Sequence, residues 1–448
     1  MLKITATYII SFLIFFGVSI FNFSCNQNHK ELQQAILKTE VCKKDSNNTY
    51  SIYIPSHEKD CGSMPLVVIL DPKGMGNTAI QKFIKGSESY KCILAASNLV
   101  KNNYTDFVQA IETLVYDAKE KYPVGTKIYL VGFSGAARMA LNMAQMRKVN
   151  GVLVSGALTL EDEVKSMNTN VYAIFGLGDF NLHEAANFFL NPQGYPANLK
   201  LELTNENHEW PSSSSLNRGL GLLILSDYPR ESTCIKKSTI LKEYSADCKK
   251  LVDSLIQGGD YLNAYFISLN LQLLKDLPEK KYFISTYKEL KTNPKLENQI
   301  SQIRKSMQME FKARDAYSKA FSTSTSEWWI KEVTEINKQI DLEKDKYKLF
   351  AFKRIRAFLG IMCYSLTNNN LNNNNLKEAA KNLGLYKLVE PKNPDMFYFT
   401  ALYLLKSGTQ DSISEYLQKA IDAGYVDRKK IIDNFPENIS TQFVANSK

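Results

Sequence analysis

Up to about residue 226, short apolar runs alternate with helical periodicities along the chain. Residues 51–54, 66–70, 92–96, 128–131, 151–154, 171–175 and 199–203 are brief, apolar and rich in β-branched side chains, as buried strands are. Between them, residues 106–121 place Phe107, Ile111, Leu114 and Ala118 on one helical face. Helical patterns also cover 78–85, 137–146, 182–189 and the stretch after Pro211. Strands alternating with helices predict a mainly parallel sheet with helices on both faces. After Pro229 the strands stop. Helices are then expected at 241–256, 261–274, 282–290, 297–320, 328–340, 346–366, 376–389, 396–407 and 412–423.

That change of texture divides the chain into an α/β part, 48–228, and an α-helical part, 229–448, and the two are expected to be separable there. Within the second part Gly360, Leu376 and Ala379 recur 41 positions later as Ala401, Leu417 and Ala420. Small residues so spaced let antiparallel helices cross closely. Over 346–425 this resembles tetratricopeptide-type hairpins, with the asparagine-rich tract 368–375 as an expanded loop. A generic helical bundle is the alternative reading. The pair Trp328-Trp329 fits buried packing better than a recognition patch.

Residues 1–25 read as an export signal, with Lys3 before an apolar run at 8–21 and an abrupt polar end. The ending Asn22-Phe23-Ser24-Cys25 resembles a bacterial lipobox. That resemblance implies an exported protein, lipid-anchored through Cys25 to a bacterial membrane, the outer one, on its periplasmic or surface face. An ordinary signal peptide or an uncleaved anchor is the alternative. Residues 26–47 then form a tether. In such a compartment cysteines can pair, and Cys42 with Cys61 and Cys234 with Cys248 are the expected bridges. Their spacings do not suggest zinc.

Size and charge refine this picture. A chain of 448 residues exceeds one ordinary core, and 44% hydrophobic with 23% charged residues is a globular composition. Most of the net charge of +9 falls after Glu231, but there it is interleaved with acids, as in Asp341-Leu342-Glu343-Lys344-Asp345-Lys346. No basic stripe forms, so nucleic acid is not an expected partner.

The chemistry centres on residues 127–141. An apolar strand runs into Gly132-Phe133-Ser134-Gly135-Ala136 and continues as a helix. A serine on such a corner needs small residues two before and two after it, because strand and helix backbones nearly touch. Gly132 and Ala136 satisfy that, giving a nucleophile elbow with alanine for the last glycine. Two later strands also end in polar residues: Gly176-Leu177-Gly178-Asp179, and Asn207-His208-Glu209-Trp210.

In the order Ser…Asp…His, these residues resemble the α/β-hydrolase superfamily in its small esterase form, over roughly 48–228. The resemblance implies Ser134 as nucleophile, His208 as general base and Asp179 as the carboxylate that orients it. It implies oxyanion donors at the amides of Gly135 and of Lys73 or Gly74, although Asp71-Pro72-Lys73-Gly74 replaces the usual glycine-rich loop. It implies no cofactor and no metal. The substrate would be a small ester or an acylated glycan or peptide. The alternatives are a serine peptidase, or an inactive scaffold whose helices bind a protein or glycan. His183 is the rival base, but a helix starting near Leu182 would carry it outward.

Overall fold

The structure is a computed structural model that describes residues 32–58, 61–191, 196–227, 237–409 and 411–443. The expected signal with Cys25, and Cys234, lie outside those residues.

Eight strands form one sheet: β1 (Ile36–Cys42), β2 (Asp45–Ile54), β3 (Met64–Leu70), β4 (Ile93–Ser97), β5 (Val124–Phe133), β6 (Gly151–Ser155), β7 (Asn170–Gly178) and β8 (Leu199–Asn207). Their spatial order is β1-β2-β4-β3-β5-β6-β7-β8. β1 and β2 are antiparallel to their neighbours and the other six run parallel. Successive side chains of a strand point to opposite faces. Val67, Val68 and Ile69 are all fully buried, so both faces of β3 are covered.

The covering comes from α1 (Ile84–Tyr90), α2 (Phe107–Lys121), α3 (Gly135–Met146) and α4 (Ser213–Ser226). Then follow α5 (Lys237–Gln257), α6 (Tyr261–Leu271), α7 (Lys280–Lys291), α8 (Pro294–Thr323), α9 (Ser326–Leu342), α10 (Lys346–Asn372), α11 (Leu376–Val389), α12 (Pro394–Lys406) and α13 (Ile413–Asp422). This is the expected fold class: an α/β-hydrolase-type sheet between helices, followed by an all-α part.

Four expectations change. Residues 36–42 are not tether but the edge strand β1, whose side chains are mostly exposed, so no buried apolar alternation marks it. Cys42 and Cys248 are free and buried, so neither expected bridge exists. Cys61 is itself disulfide-bonded, but not to Cys42. The asparagine tract is mostly helix, since α10 runs on to Asn372 and turns only where Asn374 takes φ 55°, a left-handed position that asparagine tolerates.

The fourth concerns the division at 229. One hydrophobic core runs without a break from Cys42 in β1 to Met307 in α8, and includes Phe350 of α10. α6 packs along β8, and Tyr244 of α5 donates to the carbonyl of Arg218 in α4 at 3.0 Å. The strands end near 229; the core does not. A second core, from Ala320 to Phe443, is built from α8 to α13 and the short helical segments beyond. Trp329 is buried in it, whereas Trp328 is 37% exposed.

Candidate active site

Ser134 sits between β5 and α3 with φ 55° and ψ −126°. A non-glycine residue there is strained by about 1–3 kcal/mol, and the surroundings must hold it. They do so at both ends of the residue. The Ser134 amide donates to the carbonyl of Ser155 at 2.8 Å, and its carbonyl accepts from Ala137 at 3.0 Å. The close approach inferred from sequence is present. A Cβ on Gly132 would fall 2.5 Å from the carbonyl oxygen of Ala136, while Ala136 itself is buried without conflict.

The strands β7 and β8 deliver the other two expected residues. His208 Nε2 lies 2.9 Å from Ser134 Oγ, and His208 Nδ1 lies 2.9 Å from Asp179 Oδ1. With its hydrogen on Nδ1, the imidazole donates to the carboxylate and accepts from the serine hydroxyl. Asp179 is 1% exposed. Its Oδ1 also accepts from the amide of Asn181 at 2.8 Å, so the carboxylate caps its own turn and holds the histidine at once. His183 points away, exposed, with Nδ1 against the carbonyl of Phe180. His57 is buried far along the chain, on the carbonyl of Pro55.

Several side chains around this trio carried no sequence signal. Phe180 and Phe133 flank the imidazole, with ring centres 4.1 and 4.9 Å from it. Asn181 Nδ2 donates to the carbonyl of Gly156 at 2.8 Å. Gly156 has φ 65°, and a Cβ there would press on Asp179 Oδ2 at 2.9 Å. Only the pattern of a glycine just past a strand end, Ser155-Gly156, could have drawn attention to it.

The oxyanion side differs from expectation. Gly135 opens α3, and the first amides of a helix have no intrahelical acceptor, so its N–H suits a developing oxyanion. The amides of Lys73 and Gly74 are spent within their own turn. Lys73 N–H donates to Asp71 Oδ1 at 2.8 Å, and Gly74 N–H to the carbonyl of Asp71 at 3.0 Å. The cause is Asp71 at the end of β3, whose short side chain closes a turn over the next residues. Its Oδ2 accepts from Trp210 Nε1 at 2.9 Å, tying the histidine loop to this turn. Asn102, after β4, lies against Gly135: a Cβ on that glycine would fall 2.1 Å from Asn102 Oδ1.

No family model matches the chain, and no curated protein matches it. Among solved structures it is similar to an S-formylglutathione hydrolase from Staphylococcus aureus, at 10% identity and a TM-score of 0.35, over 43% of this chain and 100% of that one. It is similar to the esterase LipW from Mycobacterium marinum, at 14% identity and a TM-score of 0.35, over 44% and 83% of the two chains. A ferulic acid esterase is similar over 42% of this chain and 98% of its own, at 14% identity and a TM-score of 0.33.

Proposed function

We propose that the protein is a serine hydrolase that cleaves carboxylic esters through an acyl-enzyme. One observation carries this reading: a serine strained into φ 55° at a strand-to-helix corner, with its Oγ 2.9 Å from an imidazole that a buried carboxylate orients. A serine hydroxyl is a poor nucleophile unless a base accepts its proton during attack. In this reading His208 takes that proton as Ser134 Oγ adds to the ester carbonyl. Asp179 fixes the tautomer and stabilises the imidazolium that forms. The proton then passes to the leaving alkoxide, and a water activated by the same histidine releases the acid.

The carbonyl oxygen turns negative at the amide of Gly135. With Lys73 and Gly74 engaged elsewhere, the second donor in this reading is the side-chain amide of Asn102. A flexible donor stabilises less than a fixed backbone amide. That favours esters over the less reactive amides, and so favours an esterase over a peptidase. The same engaged turn is what favours the second reading, a hydrolase scaffold that does not turn over, whose helical part, tetratricopeptide-like over 346–425, binds a protein or glycan. We further propose that the chain is exported and anchored by lipid at Cys25, on the sequence features of residues 1–25.

Hydrolysis of p-nitrophenyl acetate and of the matching anilide by the full chain and by Ser134→Ala tests the reading. Turnover of the ester that disappears in Ser134→Ala supports it. Equal turnover by both proteins, or none by either, sinks the esterase and leaves the scaffold. Faster anilide cleavage would reverse the ester preference.

A further inference from the structure

The loop that carries Asp179 is held from outside the α/β part. Arg354, from α10, donates through Nη1 to the carbonyl of Leu177, two residues before the carboxylate. Arg314, from α8, donates through Nη2 to the carbonyl of Phe180, the residue after it, at 2.9 Å. Between the two guanidiniums stands Glu310, whose Oε2 takes Arg354 Nε at 2.6 Å and whose Oε1 takes Arg314 Nη2 at 2.6 Å. The Arg354 and Glu310 side chains are each 2% exposed, and that of Arg314 is 13% exposed. The ring of Phe358 lies 5.2 Å from the Arg314 guanidinium, and Phe350 reaches Gly178.

Charge makes this more than a packing detail. Two arginines and one glutamate leave one positive charge unbalanced in a buried place, which is costly unless an anion lies near. Asp179 is that anion: burial lowers the pKa of both arginines, their mutual repulsion lowers that of Arg314 further, and attraction to Glu310 and to Asp179 opposes this only in part. The four groups are neutral together only when Asp179 is a carboxylate, the form that can accept from His208. Arg314 also bears on His208 by a second route, because Phe180, whose carbonyl it holds, packs its ring on the imidazole.

We propose that Arg354 and Arg314 are positioning residues of the triad, so that the helical part completes the active site rather than serving only as a binding appendage. They bracket Asp179 by its neighbouring carbonyls and supply the charge that its carboxylate balances. This rests on the triad reading given above.

The test uses the full chain carrying Arg354→Met, Arg354→Lys, Arg314→Met or Arg314→Lys, at a temperature where circular dichroism shows each folded. Two readouts are taken: steady-state kcat and KM on p-nitrophenyl acetate, and the far-downfield proton resonance of the His208–Asp179 hydrogen bond, identified by its loss in His208→Ala. The methionine variants are expected to lower kcat at least tenfold with KM within about threefold, and to shift or broaden that resonance. Each lysine variant, still able to donate to one carbonyl and carrying the same charge, should recover part of both. Should Arg354→Met fail to fold, the more accessible Arg314→Met decides. Methionine variants with wild-type kcat and an unmoved resonance would overturn the proposal. If the wild type shows the resonance but no Ser134-dependent turnover, the esterase reading fails while the resonance still judges the positioning role.

Discussion

Asn263 of α6 accepts a hydrogen bond from the amide of Leu203 at 2.9 Å, on the outer side of the last strand. Five successive positions of β8, Leu199 to Leu203, are fully or nearly buried where α6 lies along it, and Asn270 donates to the carbonyl of Leu201 at 3.1 Å from the same helix. An uncovered edge strand offers unpaired amides and carbonyls to other chains. These two asparagines pair two of that edge's backbone groups from the helical part.

Cutting the chain at 229 is therefore expected to break this core. A chain of residues 30–230 loses α5 and α6, bares β8 and opens the apolar side of α4. It is expected to aggregate under conditions where the full chain runs as a defined species; size-exclusion chromatography of both decides. A monomeric, cooperative unfolding fragment would show that the core closes without the helices.

The strands, the tight corner at Ser134 and the polar strand ends that bring Asp179 and His208 beside it were legible because each has a local signature. β3 to β8 are apolar runs, and Gly132 and Ala136 are small for a reason visible in five residues. His208 was separable from His183 because a helical turn after Asp179 had to carry His183 outward. What stayed hidden depends on contacts distant in sequence. Arg354 stands 177 positions from Leu177, among other basic residues of an ordinary helix, and nothing local marks it. β1 stayed hidden for the opposite reason: its exposed edge carries Lys38 and Glu40 rather than an apolar face.

Asn102→Ala is expected to slow acylation of Ser134 by about 10²-fold, the cost of one oxyanion donor, with little change in KM. Burst kinetics on the activated ester measure it. Lys73→Pro, which deletes the amide already spent on Asp71, should cost less than Asn102→Ala. The opposite ranking would return the second donor to the Lys73 turn.

Acid should unfold the protein partly through Glu88. Burial pushes this carboxyl up, but hydrogen bonds from Ser56, Tyr53 and Lys91 outweigh it and hold it at about 2, below its ordinary 4.5. A folded-state value below the unfolded one stabilises the fold above pH 4.5, and that contribution is lost as pH falls towards 2. The side chain is 31% exposed, so solvent screening reduces the ceiling of about 3 kcal/mol to about 1–2 kcal/mol. Glu88→Gln should lose that amount at pH 7 in urea denaturation, and should then lose less than wild type between pH 5 and pH 2. Parallel pH curves for the two proteins would contradict this.

Lipid attachment at Cys25 is checked by growing expressing bacteria with an alkyne fatty acid. The wild type should carry the label and Cys25→Ser should not. Equal labelling of the two would rule out attachment at that cysteine.

The central claim is that Ser134 is a nucleophile driven by His208. It is tested most directly by the rate at which a fluorophosphonate probe labels the full chain, with the modified residue located by mass spectrometry. Labelling is expected on Ser134, with none in Ser134→Ala, a loss of several orders of magnitude in His208→Ala, and a rate within about tenfold of wild type in His183→Ala. Labelling that persists in Ser134→Ala, or a loss in His183→Ala as large as that in His208→Ala, would contradict it.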